Sequence, residues 1–502
     1  MGLKGKHVEF YDETLRDGVQ SLWAMRIRHG MWDAVAEEID QAGYSATSFI
    51  VVFQLSVRMG EDPWEILRMI KRKVRNTKLT SITSPGLIDI VKPYEPPAIW
   101  KLFYKKIVEA TGQRRIMFMS NPIDEYKRFP EWFPFLRELE LEPCPAICYY
   151  PSPHCDDKYF IDLSKKVLKF KPDLIFLKDA GGLLTVERLK GILPTMLEDA
   201  HALGIPVAIH THGVSTNAGR VVVEAMKMGV DEVVTCCPPL ANGTSHTSIF
   251  MAVHNAEVLG LTHHINLEPL KVVEQRLTAI AKQENLLIPV PLEYDHAVYL
   301  HQIPGGVLGT LKGQLSQMGI IHKLDEVLEE IPRVLEDTGN PIMITPFSQF
   351  VVTQATLNVA TGERYKEIID NWVDVALGIW GVGDSGVRYM DQNLKDKILN
   401  RPVAKERAKY WEAQKEEIAA DLPLEHYKAK YGMENASDED FITYYLMQGD
   451  EEIKRMRAAG PPKLYYTGKE PLSVLLNELK KDKDISRLEL QKGNSFFDFR
   501  QS

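Results

Sequence analysis

The chain has few cysteines, no long apolar run and no excess of basic residues, and each absence excludes a class of protein. Five cysteines in 502 residues are a sparse and odd-numbered set, which fits a reducing compartment, so we expect a cytoplasmic protein. The N-terminus shows no apolar core of a signal peptide, and the apolar run 49–53 is far too short to cross a bilayer. There are 69 acidic residues against 60 Lys and Arg, which argues against a nucleic-acid partner.

Strand-like and helix-like stretches alternate through the first half of the chain, and this alternation favours a parallel sheet. The predicted strands are 7–11, 46–53, 79–83, 115–119, 145–149, 173–177, 207–212 and 232–236. Units of this number and length match a closed (β/α)8 barrel, the TIM barrel. An open doubly wound sheet is the alternative, but no Gly-x-Gly-x-x-Gly follows an early strand.

We therefore predict an α/β fold with the barrel in residues 1–265, a mainly helical domain in 266–402 and a helical or mixed C-terminal extension in 403–502. In the extension, Ser437 is predicted to begin a helix, because a polar Ser-Asp-Glu-Asp precedes an apolar run. Residues 472–479 are predicted as a second helix, between two short strands.

Two histidines end the seventh predicted strand and mark the candidate site. Side chains two residues apart in a strand point the same way, so His210 and His212 should face one side. Functional groups of a barrel gather at the C-terminal ends of its strands, where Asp17 follows the first strand and Lys178 ends the sixth. These four side chains together would offer a site for a divalent metal. A pair of hydrogen-bonded strand histidines is the alternative interpretation.

A protonated lysine is a poor metal ligand, so Lys178 needs a further condition. Its amine would have to be deprotonated, or carbamylated by CO2, which turns it into a carboxylate. The alternative is an ion pair of Lys178 with Asp17 or Asp179. The polar segment 242–246, which follows the eighth predicted strand, falls on the same rim.

Residues 224–228 read Glu-Ala-Met-Lys-Met, which is similar to the biotin-acceptor motif of carrier domains. That motif works at the tip of a tight hairpin in a small all-β domain. Here it lies in a helical stretch that Gly229 would end as a C-cap. We therefore expect Lys227 to be a surface residue of a barrel helix and not a biotin acceptor.

Several motifs resemble the carboxyltransferase part of the biotin-dependent enzymes. These enzymes include pyruvate carboxylase, its separate B subunit, the oxaloacetate decarboxylase α chain and the 5S-like large subunit of transcarboxylase. The motifs occur in family order over roughly residues 7–400. They are Thr14-Leu15-Arg16-Asp17 with Gln20, Gly60-Glu61-Asp62-Pro63-Trp64-Glu65, Lys178-Asp179-Ala180-Gly181, His210-Thr211-His212, Gly243-Thr244-Ser245, Gln302-Ile303-Pro304-Gly305-Gly306 and the stretch 326–366.

The resemblance implies a barrel topped by a helical funnel in 266–402, and a divalent metal that is zinc, manganese or cobalt. In the family the metal polarises the substrate carbonyl and stabilises the enolate. Arg16 and Gln20 match residues near the substrate and its carbonyl, and Thr244 matches the hydroxyl that passes a proton between biotin and substrate. The implied metal ligands are Asp17, carbamylated Lys178, His210 and His212.

The implied reaction moves a carboxyl group between carboxybiotin and a small-molecule carbonyl acceptor. Neither a biotinyl domain nor an ATP-binding domain is visible in the sequence. The resemblance therefore implies that biotin is carried by a separate biotin carboxyl carrier protein and carboxylated by a separate biotin carboxylase subunit. By analogy with the family, it also implies a homodimer.

The chain departs from the family pattern in three places that bear on the acceptor. The family's Gly-Gly-Ala-Thr-Phe-Asp after strand 2 is replaced by the apolar stretch 48–54, and Leu-Leu-Arg-Gly after strand 3 by 81–86. Gly213 stands where the family usually has Asp. In the family the missing Arg clamps the carboxylate of the keto acid, which is a strong bidentate contact. We therefore expect an acceptor other than pyruvate or oxaloacetate, either larger or less acidic.

Two other functions remain open. Metal-dependent lyases and Claisen-type synthases share the Leu15-Arg16-Asp17 motif and a His-x-His pair, but not Lys178-Asp179 in this role or the segment 303–306. A non-catalytic scaffold of a carboxylase complex would not need the four candidate ligands, all of which are present.

Overall fold

Eight parallel strands close into a barrel in sequence order, with β8 beside β1. The computed structural model describes residues 4–49, 51–85, 88, 93–121, 124–465, 487–492 and 495–500. Strands β1 to β8 span, in order, Glu9–Asp12, Ala46–Ser48, Lys78–Ile82, Arg115–Met119, Glu142–Cys148, Ile175–Asp179, Val207–Thr211 and Glu232–Thr235. The predicted (β/α)8 barrel is therefore confirmed.

Helices α1 to α10 surround the strands, and polar residues set where several of them begin. Asp62 accepts a hydrogen bond from the backbone N–H of Trp64 and caps α4, whose first residue is Pro63. Thr185 caps α8 in the same way through Arg188 N–H. The helices span, in order, Val19–Trp23, His29–Asp40, Phe53–Arg58, Pro63–Lys73, Pro97–Thr111, Phe129–Glu138, Asp157–Leu168, Val186–His201, Ala218–Met228 and Ile249–Val258.

The second strand is shorter than predicted. The apolar run suggested a strand over 46–53, but β2 ends at Ser48 and α3 begins at Phe53. Phe53 is buried and packs edge-on against Trp64, with ring centroids 5.0 Å apart. A short continuous apolar run fits a buried strand or a buried helix equally well, so its period could not separate the two.

The region after the barrel is helical, as predicted. Helices α11 to α21 span, in order, Leu267–Gln283, Ala297–His301, Gly305–Gln317, Leu324–Asp337, Phe347–Thr361, Asn371–Ala376, Gln392–Leu399, Pro402–Ala419, Leu424–Lys430, Asp438–Met447 and Glu451–Ala458. Helix α11 packs against α2, so this region contacts the barrel directly. The domain boundaries after residues 265 and 402 stay predictions.

Helix α20 lies against the barrel half of the chain, on α3 and α5. Its first turn is capped by Ser437, which accepts from Asp440 N–H as predicted. The indole N–H of Trp64 donates to the Thr443 hydroxyl at 2.9 Å, and Arg68 pairs with Glu439 at 3.0 Å. The C-terminal extension is therefore packed on the barrel and not free of it.

Two strands follow near the C-terminus. Strand β9 spans Arg487–Lys492 and pairs antiparallel with β10, Ser495–Arg500. The predicted helix 472–479 lies outside the described residues. Within the part of the chain that is described, no helix combines the length and the apolar character that crossing a membrane requires.

The barrel interior is filled with side chains and is not a pore. Tyr11, Met117 and Phe176 form its middle layer with smaller neighbours, all buried. At the N-terminal end of the strands, Arg115 on β4 reaches across to Glu232 on β8 at 2.9 Å, and both side chains are under one-tenth exposed. This closed lower end leaves the opposite, C-terminal rim for the site.

Candidate active site

Asp17 lies at the centre of the candidate site, on a buried π-helical turn, Thr14–Gly18, that follows β1. One carboxylate oxygen, Oδ2, is 3.2 Å from Nε2 of His210, 3.1 Å from Nε2 of His212 and 3.1 Å from Nε2 of His246. His210 is on β7, His212 follows that strand, and His246 is on the loop after β8. The predicted convergence of Asp17 with the histidine pair is what the structure shows, with a third histidine added.

Backbone carbonyls orient two of the three imidazoles. His212 Nδ1 is 3.0 Å from the Thr244 carbonyl oxygen, and His246 Nδ1 is 2.9 Å from the Thr211 carbonyl oxygen. Because a carbonyl can only accept, each Nδ1 carries the hydrogen, and a neutral ring then has its lone pair on Nε2. The Nε2 atoms of both rings face Asp17.

The charges around Asp17 favour a bound cation. Burial lowers the pKa of His246 to about 3 and holds the pKa of His210 well below its usual range, so these imidazoles are neutral at pH 7. Burial opposes ionisation of Asp17, yet the neighbouring Arg16 and His212 keep its pKa well below the usual range. A carboxylate and neutral imidazoles are ligands that zinc and related ions take, so these residues fit a divalent metal.

Lys178 lies beside the cluster, and no carboxylate among the described residues forms an ion pair with it. Its Nζ is 2.7 Å from Nε2 of His210, and burial lowers its pKa. Of the described carboxylates, neither Asp17 nor Asp179 forms an ion pair with it; Asp179 instead accepts from the N–H groups of Leu183 and Leu184. The ion-pair alternative is therefore wrong, and the role of Lys178 as a metal ligand stays a prediction.

Arg16 is held by three side chains that are close to it in the sequence. Its Nε donates to Glu13 at 2.5 Å, one terminal nitrogen donates to Asp17 at 2.7 Å, and the other lies 3.4 Å from the Gln20 amide oxygen. Burial disfavours the charged guanidinium, but Asp17 and Glu13 raise its pKa above the usual value. The structure thus brings Arg16 and Gln20 to the cluster, as the prediction required.

Thr244 joins the site through its backbone as well as its side chain. Its carbonyl orients His212, and its hydroxyl donates to the Ser21 carbonyl at 3.1 Å. A Cβ on Gly305, the first residue of α13, would lie 2.1 Å from the Thr244 Cβ, so only glycine allows α13 this close. To carry a proton, as predicted, the hydroxyl would first have to leave Ser21.

Sequence reasoning placed the segment 242–246 on the rim but gave His246 no role. The loop reaches the cluster because it pairs with the end of β7: His212 and His246 form an antiparallel bridge, and Gly213 N–H donates to the Ser245 carbonyl at 2.7 Å. A Cβ on Gly213 would lie 2.4 Å from the Gly243 carbonyl oxygen. In the sequence, the glycine at position 213, where the family usually has Asp, was the signal that the loop after β8 lies this close to the end of β7.

The rim after β3 and β4 carries an acid among its described residues, where the family has an arginine after β3. Glu125 follows β4 and is buried, with no hydrogen-bond partner on either carboxyl oxygen in the described chain. Burial raises its pKa to about 8, although Ser84 and Arg128 oppose the rise. No arginine occurs in 81–85, the described part of the replaced segment.

Lys227 behaves as predicted. It lies near the end of α9, its side chain is 45 % exposed, and it pairs with Glu224 one turn earlier. Gly229 ends the helix in the left-handed conformation. This sequence is therefore part of a surface helix.

Comparison with known proteins finds one family model, described as a conserved carboxylase domain, over residues 298–484. The pyruvate carboxylase B subunit of Methanocaldococcus jannaschii is 30% identical over 88% of this chain and 76% of its own length. The methylmalonyl-CoA carboxyltransferase 5S subunit of Propionibacterium freudenreichii subsp. shermanii is 26% identical over 92% of this chain and 90% of its own. The 2-oxoglutarate carboxylase large subunit of Hydrogenobacter thermophilus is 29% identical over 78% of this chain and 60% of its own.

A solved structure supports the fold. The carboxyl transferase domain of Rhizobium etli pyruvate carboxylase superposes with a TM-score of 0.75 at 21% identity, over 91% of this chain and 78% of that one. At this sequence identity, the structural similarity supports the fold, a barrel with surrounding helices.

Proposed function

This chain is a carboxyltransferase of the biotin-dependent carboxylase family, and from this premise we propose that it moves a carboxyl group between carboxybiotin on a separate carrier protein and a carbonyl acceptor other than pyruvate or oxaloacetate. The observation that carries the proposal is the convergence of three imidazoles and Arg16 on the Asp17 carboxylate.

The proposed metal, zinc, manganese or cobalt, would be held by Asp17, His210 and His212, with Lys178 beside it. When bound, such an ion supplies Lewis-acid stabilisation to a carbonyl oxygen that gains negative charge. Carbamylation of Lys178 by CO2 stays a prediction of the family resemblance.

The side chains around the cluster would bind the acceptor and exclude water. Arg16, Asp17, Lys178 and His212 are each no more than 5% exposed, so little solvent reaches them. A water-poor site protects both released CO2 and an enolate. Arg16, fixed by Glu13 and Asp17, would present its remaining edge with Gln20 to the acceptor's carbonyl, where preorganised donors stabilise developing charge.

The acceptor is the least constrained part of the proposal. The relatives compared above are named for pyruvate, 2-oxoglutarate and methylmalonyl-CoA, so family membership leaves the acceptor open. At the rim after β3 and β4, described residues offer the Ser84 hydroxyl and the Glu125 carboxyl. The described part of the segment after β3 holds no arginine, and this favours an acceptor that is larger or less acidic than a small keto acid.

The partners follow from the reaction. We propose a separate biotin carboxyl carrier protein and a separate biotin carboxylase subunit, supported by relatives that are themselves named as subunits. A homodimer is proposed by analogy with the family.

The test mixes metal-loaded protein with a carrier protein that bears labelled carboxybiotin, and follows both loss of label and appearance of carboxylated product over a panel of carbonyl acceptors. We expect one acceptor class to discharge the carrier and pyruvate to be a poor substrate. Arg16→Lys, which keeps the charge but loses the fork, should slow transfer by about 10²–10³-fold. His254→Gln, on the exposed side of α10, is the matched control and should behave as wild type.

Protein that binds metal but discharges carboxybiotin to no acceptor would contradict the proposal. That result would favour the metal-dependent lyase or Claisen-type synthase. Protein that captures a biotinylated partner but binds no metal would favour the scaffold interpretation, and protein that does neither would contradict both enzyme interpretations.

A further inference from the structure

We propose that His7, Glu9 and His264 form a second metal site, for zinc or a related divalent ion, at the N-terminal end of the barrel strands. It lies at the start of β1, whereas the candidate active site lies at the C-terminal ends of the strands. The proposal does not depend on the carboxyl transfer proposed above, because none of these three side chains belongs to the cluster around Asp17.

Backbone pairing brings the three side chains together. His7 and Thr262 form a parallel bridge immediately before β1, and Thr262 N–H donates to the Lys6 carbonyl at 2.8 Å. In extended backbone, side chains two residues apart point the same way, so His7 and Glu9 share a side. His264 follows Thr262 by two residues and reaches the same place, since its ring lies 4.4 Å from that of His7, centroid to centroid.

One carboxylate oxygen, Oε1 of Glu9, faces both imidazoles. It is 2.9 Å from Nε2 of His7 and 3.3 Å from Nδ1 of His264. Among the described residues, Glu9 forms ion-pair contacts with these two rings and with no Lys or Arg. Two imidazole nitrogens and a carboxylate oxygen are donors typical of zinc sites, whereas calcium and magnesium prefer oxygen alone. The donor set therefore favours zinc or a related transition metal.

The orientation of His7 is set by Thr262. The Thr262 hydroxyl donates to the Lys6 carbonyl at 3.3 Å, so toward Nδ1 of His7, 3.2 Å away, it acts as the acceptor. Nδ1 therefore carries a hydrogen, and in a neutral ring the lone pair of Nε2 then points at the Glu9 carboxylate. Two acceptors in contact at 2.9 Å require a proton or a cation between them. A metal ion supplies that positive charge, and a protonated His7 is the competing explanation.

The donor atoms have nearly the spacing of a coordination shell. Ligand atoms about 2.0–2.2 Å from a tetrahedral zinc ion are about 3.3–3.6 Å apart. The two contacts of Glu9 measure 2.9 and 3.3 Å, and all three donor atoms lie within 4.8 Å of one another. The side chain of His264 is 70% exposed, so its ring has room to move the short distance that closes the shell. Solvent water has access to the fourth position.

A metal at this site would clamp the beginning of the barrel to the beginning of the helical region. Residues 262–264 lie between α10 and α11, and just beyond them Asn266 N–H donates to the Ala42 carbonyl, after α2, at 2.9 Å. The three ligands come from segments more than 250 positions apart in the chain. An ion that binds the folded chain and not the unfolded chain stabilises the fold.

The test measures zinc binding and locates it on the chain. Wild type, His264→Gln, Glu9→Gln and a control are stripped with chelator and reloaded with zinc. The matched control is His201→Gln, because His201 also forms an exposed pair with a carboxylate, Asp231 at 2.8 Å, but no third candidate ligand joins it among the described residues. Competition with a chromophoric chelator gives the zinc bound per chain and the dissociation constants. Circular dichroism confirms that each variant is folded.

Hydrogen exchange of the metal-free and zinc-loaded protein then shows which segments the metal protects. Zinc should slow exchange in segments 6–9 and 262–264 of wild type, and not of His264→Gln. The effect should reach up to about 100-fold at a free zinc concentration 100 times the dissociation constant, because opening must first release the metal. Zinc at the candidate active site would instead protect segments around Asp17 and His210, so the two sites are measured separately.

We expect wild type and His201→Gln to bind one zinc ion more per chain than His264→Gln and Glu9→Gln. The affinity of this site should fall at least about 100-fold in the latter two variants, since loss of a ligand should exceed the 10–100-fold effect of disturbing an outer partner.

Equal zinc binding by wild type and His264→Gln would overturn the proposal, and so would zinc that leaves exchange in segments 6–9 and 262–264 unchanged. Either result would favour a protonated His7 as the partner of Glu9. Loss of the same zinc ion from His201→Gln would also overturn the proposal, because it would show that exposed histidine–carboxylate pairs of this protein bind zinc without a third ligand.

Discussion

Replacing Gly213 by alanine should weaken metal binding although residue 213 is not a ligand. The new Cβ would lie 2.4 Å from the Gly243 carbonyl oxygen, and contacts below 3.0 Å are essentially never seen. The loop after β8, whose Thr244 carbonyl orients His212, must therefore move by at least about 0.6 Å, whereas a metal–ligand distance tolerates only roughly 0.2 Å. We expect zinc affinity to fall by about 10–100-fold, in the range of variants that disorient a ligand. The crowding should also lower the free energy of unfolding by about 1–3 kcal/mol.

The assay is zinc affinity by competition with a chromophoric chelator, together with urea unfolding of the metal-free protein. Gly313→Ala is the matched control, because a Cβ at this exposed position of α13 meets open space. It should leave zinc affinity unchanged and raise stability by up to about 1 kcal/mol, since alanine favours helix over glycine. Wild-type zinc affinity in Gly213→Ala would show that the loop does not orient His212 for the metal, and the reasoning would fail.

Three further predictions concern stability. Burial raises the pKa of Glu125 from 4.5 to about 8, so the neutral carboxyl stabilises the fold fully below about pH 4.5 and this stabilisation is lost as pH rises toward 8. Urea unfolding at pH 5 and pH 8.5 should show a loss of free energy of unfolding on the order of 2–5 kcal/mol in wild type and a smaller loss in Glu125→Gln, and an equal loss in both would contradict the prediction. Glu232→Ala removes the nearer acidic partner of buried Arg115, which keeps a longer contact of 3.6 Å with Glu142, and should lower the free energy of unfolding by about 3–5 kcal/mol. The zinc content of the candidate active site should stay the same because this pair lies at the opposite end of the barrel, and loss of that zinc would refute the separation. Thr443→Val removes the acceptor of the Trp64 indole N–H and should lower the free energy of unfolding by about 1–3 kcal/mol, whereas Thr310→Val at an exposed position should change it little. Equal effects of the two variants in thermal or urea unfolding would show that the indole hydrogen bond does not stabilise the fold.

The strands of the barrel were predictable because each is a short apolar run bounded by turn residues. β4 lies where the sequence predicted it, at Arg115–Met119, and the other strands differ mainly at their ends. The exception is the run that follows Ser48, which turns into α3 because Phe53 packs against Trp64 and Phe103. That choice depends on neighbours distant in sequence, which a local period does not contain.

The site was predictable as far as strand geometry reaches. His210 and His212 share a face because strand side chains alternate, and Asp17 follows a strand of the same barrel. His246 was not predictable in this way, because it lies on a loop whose position depends on a missing Cβ at Gly213. The partner of Lys178 was missed for a related reason, since its buried Nζ meets the ring of His210 and not a carboxylate.

The packing of α20 on the barrel has a consequence for the order of synthesis. Trp64 and Thr443, which are hydrogen-bonded, are separated by 379 positions in the chain. At 5–20 residues per second, a ribosome needs about 20–75 s to make the residues between them. During that interval the eight strands can already be present while the side of the barrel formed by α3, α4 and α5 has no covering helix. In the nascent chain, Trp64 and its apolar neighbours would therefore be exposed and accessible to a chaperone until residue 447 has left the exit tunnel.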